Sequence, residues 1–259
     1  MLRYTANTNK EPVCIFVGVE VSRPTKIRLL AIDPYKKGAV YIDRVKTVQD
    51  EQEFEIRLPQ SPNELLISVM AQNVPNDRIK DIVRVYKLEK GSLQQHLPCI
   101  SSKKVASFLK FAKQFSENAG ILSTGRYQSD DKEVTIDYLP QIVHEGKTLT
   151  TPARISNQTG RMEISKKAFV KMTIPMRMAI LCHEYSHFYL NEIQKDEIEA
   201  DLNALTLYMG LGYPVIEAHK AFLETFHKSP TESNKQRYIY LKTFIDNFEQ
   251  LKYEICFPN

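Results

Sequence analysis

The apolar residues change their spacing once along the chain, near residue 91, and that change divides the fold. Before it they recur every second position. Val13, Ile15, Val17, Val19 and Val21 alternate, followed by Ile27, Leu29 and Ala31, then Val40 and Ile42. Phe54, Ile56 and Leu58 repeat the pattern, as do Leu65, Ile67, Val69 and Ala71, and Val83 with Val85 closes it. A period of two puts such side chains on one face of a strand. The runs are split by Asp33-Pro34, Lys37-Gly38 and Pro59 to Pro62, so they predict a small antiparallel β-sandwich. Gly91, Pro98 and Ser101-Ser102 predict a linker, after which the period becomes helical. The expected class is α+β: a sandwich domain over 1–98, serving interaction or assembly, and a second domain over 99–259.

In the second half, Val105, Phe108, Leu109, Ala112 and Phe115 make one apolar face, predicting a helix over 103–119 that stops at Gly120. Short strands are expected at 134–138, 153–156 and 161–165, the last two joined by a turn at Asn157-Gln-Thr-Gly160. Pro175 suits the first turn of a helix reaching about residue 190. Asp196 begins the next, with Glu199 placed as a capping-box partner, and Gly210 or Gly212 ends it before Pro214. Two further helices are expected over 215–226 and 232–251, the second with Leu241, Phe244, Ile245, Phe248 and Leu251 on one face.

Composition removes some classes of function. The chain has 259 residues and a net charge of +4, with no block of like charges, so no nucleic-acid partner is expected. No run of 18 apolar residues occurs, so no membrane span is expected, and the first residues lack the apolar region of a secretory signal. Cys14, Cys99, Cys182 and Cys256 are far apart and form no CxxC, which fits reduced thiols and a cytoplasmic protein.

The stretch that carries chemistry is His183-Glu184-Tyr185-Ser186-His187. Imidazoles four residues apart on a helix point the same way and can reach one ion. Glu184 follows the first histidine directly, where a general base belongs. Met178, Ile180, Leu181 and Cys182 make the preceding turns apolar, so the histidines lie on a buried helix and need partners. The next helix opens Glu197-Ile-Glu199-Ala-Asp201. Glu197 can be a third ligand and Asp201 can accept the outer N–H of a ligating histidine. Glu199 is the alternative ligand, and a capped, solvated helix start is the plain alternative for both glutamates. Two histidines and one glutamate suit Zn2+ best.

HEYSH followed by EIEAD resembles the gluzincin metallopeptidases, most of all the small cores called minigluzincins. The resemblance implies a zincin-like helix–sheet–helix core over 103–210 with C-terminal helices behind it. It implies zinc on His183, His187 and Glu197, with Glu184 as general base and Asp201 behind a ligand. Arg161–Ser165 would be the edge strand holding an extended substrate, and Tyr208, Tyr213 or His219 would stabilise an oxyanion. The metzincins are not resembled, because residues 188–196 hold neither Gly nor a third His. Over HEYSHFYLN and EADLNALTLYMGLGYP the chain is also similar to peptidase-like proteins of crAss-like tailed phages, which implies a virion-associated protein.

His96, His144, His219 and His227 are isolated and read as ordinary surface or core residues, and Cys182 should pack on the far side of its helix. Two functions are expected to compete. One is a zinc endopeptidase acting on a protein or peptide substrate. The other is a structural component of a large assembly, such as a phage virion or tail, that keeps the fold and joins its neighbours through the β-domain.

Overall fold

The computed structural model describes residues 1–93, 95, 102–228 and 231–256, with side chains over all of these except 223–228 and 248–256. His96, Pro98, Cys99 and Ser101 lie outside the described residues, as do the side chains of His227, Phe248, Leu251 and Cys256. The chain divides into two compact units, Met1–Gln94 and Gln95–Asn259. Helices and largely antiparallel sheets both contribute, so the class is α+β.

The first unit holds strands β1 (Leu2–Asn7), β2 (Val13–Val21), β3 (Thr25–Ile32), β4 (Val40–Val48), β5 (Glu51–Leu58) and β6 (Glu64–Ala71). A short helix, α1 (Ile79–Ile82), then leads into β7 (Val83–Ser92). They form two sheets, ordered β1-β6-β3-β4 and β5-β2-β7, antiparallel throughout. The alternating residues are the buried ones: Val17, Val19, Ile27, Leu29, Ile56, Leu65, Ile67 and Val69 are all inaccessible. Burying each such side chain contributes roughly 1.5–3 kcal/mol, which is why the period of two survives folding. Gly91 belongs to β7 rather than to a linker. At Gly18, beside a bulge in the β2–β7 ladder, the Tyr86 ring lies 2.6 Å from where a Cβ would stand, so only glycine fits.

The second unit opens with α2 (Lys103–Asn118), with Ser102 at the N-cap position but making no side-chain capping bond. Strands β8 (Gly125–Gln128), β9 (Thr135–Leu139), β10 (Val143–His144), β11 (Lys147–Thr148), β12 (Ala153–Ile155) and β13 (Met162–Ser165) follow. Then come helices α3 (Lys166–Phe169), α4 (Ile174–Tyr189), α5 (Glu197–Gly210), α6 (Val215–Lys228) and α7 (Glu232–Cys256). One sheet is ordered β12-β13-β9-β8, with β13 and β9 parallel, and β10 pairs only with β11. Gly160 takes φ +66 in the turn between β12 and β13, the left-handed conformation that glycine adopts without cost.

The core of this unit gathers the apolar face of α2, the inner residues of β9 and β13, and α4. Along α4, Ile174 to Cys182 are buried without interruption, because other elements cover it on every side. Its start is fixed by Thr173, whose hydroxyl accepts the Met176 N–H. Phe108 of α2 stacks on Tyr185 with ring centroids 3.8 Å apart. Arg177, fully buried on α4, donates to the carbonyls of Phe169 (2.8 Å) and Ser116 (2.7 Å), and burial pulls its pKa down to about 10. No described helix is long and apolar enough to cross a membrane.

Candidate metal centre

One turn of α4 separates His183 from His187, and their Nε2 atoms stand 3.1 Å apart. Glu197, the first residue of α5, brings Oε2 to 3.6 Å from His183 Nε2 and Oε1 to 3.5 Å from His187 Nε2. Donors held about 2.0–2.1 Å from a tetrahedral ion lie roughly 3.3 Å from one another. Each histidine nitrogen has a different Glu197 oxygen near that distance, and with one donor atom per residue the three lie within 4.8 Å of one another, so these residues could hold a metal ion. Among the described residues no fourth His, Cys, Asp or Glu joins them.

The approach of α5 to α4 is set by the loop between them. Asn191 donates to the Asp196 carbonyl (2.8 Å) and accepts from Asn203 (3.1 Å), and Asp196 caps α5 by accepting the N–H groups of Ile198 and Glu199. Glu199 does not complete a capping box and is not a ligand. Its carboxylate turns back to accept the N–H groups of Glu192 (2.9 Å) and Ile193 (3.4 Å), tying down the loop. A carboxylate there satisfies two loop amides that helix geometry leaves open.

The outer ring nitrogens also have partners. His187 Nδ1 lies 2.7 Å from the Gln194 carbonyl, to which it donates, and this leaves Nε2 as the lone-pair donor. His183 Nδ1 is 2.9 Å from Asp201 Oδ1, a short approach whose angle at the ring nitrogen is poor for a hydrogen bond. Burial raises the pKa of Glu197, but His187, His183 and Arg237 outweigh it and bring the carboxyl down to about 2. Asp201 is likewise pushed up by burial and pulled below its usual range by His183 and Arg237.

Glu184 is buried, and loss of solvent raises its carboxyl above the usual range against the pull of both histidines. The Ile155 backbone N–H favours the ionised carboxylate, the weakest of these effects. Glu184 lines a cleft of about 560 Å³ together with His183, His187, Glu197 and residues 151–155.

Several expectations need correction. Arg161–Ser165 is not an edge: β13 lies between β12 and β9. The edge along the cleft is β12. Pro152 accepts the Ser165 N–H and Ser156 donates to the Arg161 carbonyl. Alternate backbone groups therefore face β13, and those of Ala153 and Ile155 face the free side. Tyr208 and Tyr213 do not line the cleft either. They are buried and stacked 4.9 Å apart, and the Tyr208 hydroxyl donates to the Pro214 carbonyl. His219 is also off the cleft, edge-on to Tyr238. Of the other isolated histidines, His144 sits on exposed β10.

Cys182 is wholly buried on α4, where desolvation raises its thiol to about 12, and it is not among the three donors. The residue that spacing did not single out is Arg237 of α7. It lines the cleft and meets Glu197 at 3.0 Å and Asp201 at 2.8 Å. A lone arginine in a polar helix face carries no signal that could have marked it.

No family model matches the chain, and no curated protein or solved structure is significantly similar to it.

Proposed function

We propose that the chain is a zinc-dependent metallopeptidase, with a zincin-like core in the second unit and a β-sandwich serving interaction or assembly in the first. The observation that carries this reading is the open donor set. Three donors converge within 4.8 Å of one another with no fourth among the described residues, beside a buried carboxylate in a cleft. A structural zinc site is closed by four protein ligands, whereas a catalytic one keeps a position open. The rival reading, a structural metal inside an assembly, would need a fourth ligand that the described residues of this chain do not offer.

Zinc bound by His183, His187 and Glu197 would supply a Lewis acid that polarises the scissile carbonyl and acidifies water. Glu184 takes the proton of the attacking water and delivers it to the leaving amine. Its burial keeps bulk water from competing for the proton it carries. The outward backbone groups of Ala153, and the Ile155 carbonyl, offer main-chain hydrogen bonds to an extended peptide.

The test is zinc content measured together with peptide cleavage. Glu184→Gln should keep one zinc per chain and lose about 10²–10⁴-fold in activity, since Gln cannot accept the proton. A wild-type protein that takes up no metal, or a Glu184→Gln variant with full activity, would refute the assignment.

A further inference from the structure

We infer that Arg237 is the positioning residue of this metal centre, and that α7 is therefore a working part of it. The inference rests on the metallopeptidase reading and deepens it.

A guanidinium offers five N–H donors. Nε meets Asp201 Oδ2 at 2.8 Å and Nη2 meets Asp201 Oδ1 at 3.0 Å, a two-point fork on one carboxylate. Nη1 lies 3.0 Å from Glu197 Oε2 and 3.4 Å from Asn234 Oδ1. Most donors are thus engaged by the chain itself, and the side chain is only 10% exposed although it borders the cleft. A group saturated in this way holds its neighbours in place rather than waiting for substrate.

Its neighbours decide what it positions. Glu197 Oε2 faces His183 Nε2 and Asp201 Oδ1 faces His183 Nδ1, so one cation fixes the third ligand and the carboxylate behind the first. Asp201 is 1% exposed, and a carboxylate so buried needs a full positive partner. His183 cannot supply that charge while it ligates, because a ligating imidazole is neutral. Arg237 supplies it. The opposing effect is repulsion between the guanidinium and a bound dication. The two effects differ in sign: if alignment of the ligands dominates, removing Arg237 weakens metal binding, and if repulsion dominates, removal strengthens it.

The experiment uses the full chain, with zinc affinity measured by chelator competition. The visible spectrum of the cobalt-loaded protein and the melting temperature are recorded beside it. Arg237→Gln should bind zinc about 10–100-fold more weakly, as outer partners of ligands do when removed, and should alter the cobalt bands. Arg237→Lys keeps the charge without the fork and should fall between Arg237→Gln and wild type. It also carries the test alone if Arg237→Gln does not fold. Wild-type affinity and cobalt bands in the folded variants, with only a lower melting temperature, would overturn the inference by itself. Tighter binding by Arg237→Gln would overturn it too. A wild-type protein that binds no metal would remove the metallopeptidase reading, and this inference with it.

Discussion

His183 and His187 owe their shared aim to one helical turn, but the direction of each lone pair is set by whatever holds the other ring nitrogen. For His187 that is a main-chain carbonyl, Gln194, in a loop that must itself be held. The turn at Gly160 reaches the same region: a Cβ there would stand 2.8 Å from the Phe188 ring, next to His187. Gly160→Ala should therefore destabilise the protein by roughly 1–2 kcal/mol from the left-handed backbone alone. In a unit of this size that is a fall of about 2–8 °C in melting temperature, readable by calorimetry. A variant that melts with wild type would show that the turn relaxes. At this scale much of the site was legible. The i, i+4 pairs His183/His187 and Glu197/Asp201 follow from helix period alone. Gln194 was not legible, since a carbonyl has no residue signature, nor was Arg237, which is 36 residues beyond Asp201.

Among the elements, α4 and β12 do opposite things with their surfaces. Helix α4 is covered on every side, so its apolar run reads clearly in the sequence and its histidines are held in a rigid setting. Strand β12 is three residues long and leaves one edge free, and nothing in its composition separates it from β13. Edge and interior strands differ in what lies beside them, which is why the edge role was first given to 161–165. Strands β1 and β8 are hard to read for a related reason: both are sheet edges, β8 has a single aromatic residue, and the short alternation of Leu2, Tyr4 and Ala6 in β1 is only half-buried against β6. Proline is tolerated where a strand's N–H faces away from the sheet. Ile155→Pro should thus leave β12 paired and remove only an N–H that favours ionised Glu184. An interaction of this kind contributes at most what an ordinary hydrogen bond does, roughly 0.5–1.5 kcal/mol, so activity should drop by about 2–10-fold while zinc content stays constant. Loss of zinc in this variant would mean that β12 supports the ligands as well as the base.

In the whole molecule, no described sheet takes strands from both units, and every donor and cleft residue belongs to Gln95–Asn259. That unit produced alone should bind zinc with the affinity of the full chain, measured by the same chelator competition. Failure to fold or to bind would show that Met1–Gln94 supports the centre. The division itself was legible because a change from period two to helical spacing is a change in what a backbone can bury. The ordering of residues within the second unit also has a consequence in time. A nascent chain grows from its N-terminus at about 5–20 residues per second. The 36 residues from Asp201 to Arg237 therefore take roughly 2–7 s to add. Throughout that interval the three donors exist without Arg237, so on the proposed reading an ion met before α7 is complete would be held more loosely. On that reading, full retention of the ion would follow the completion of α7.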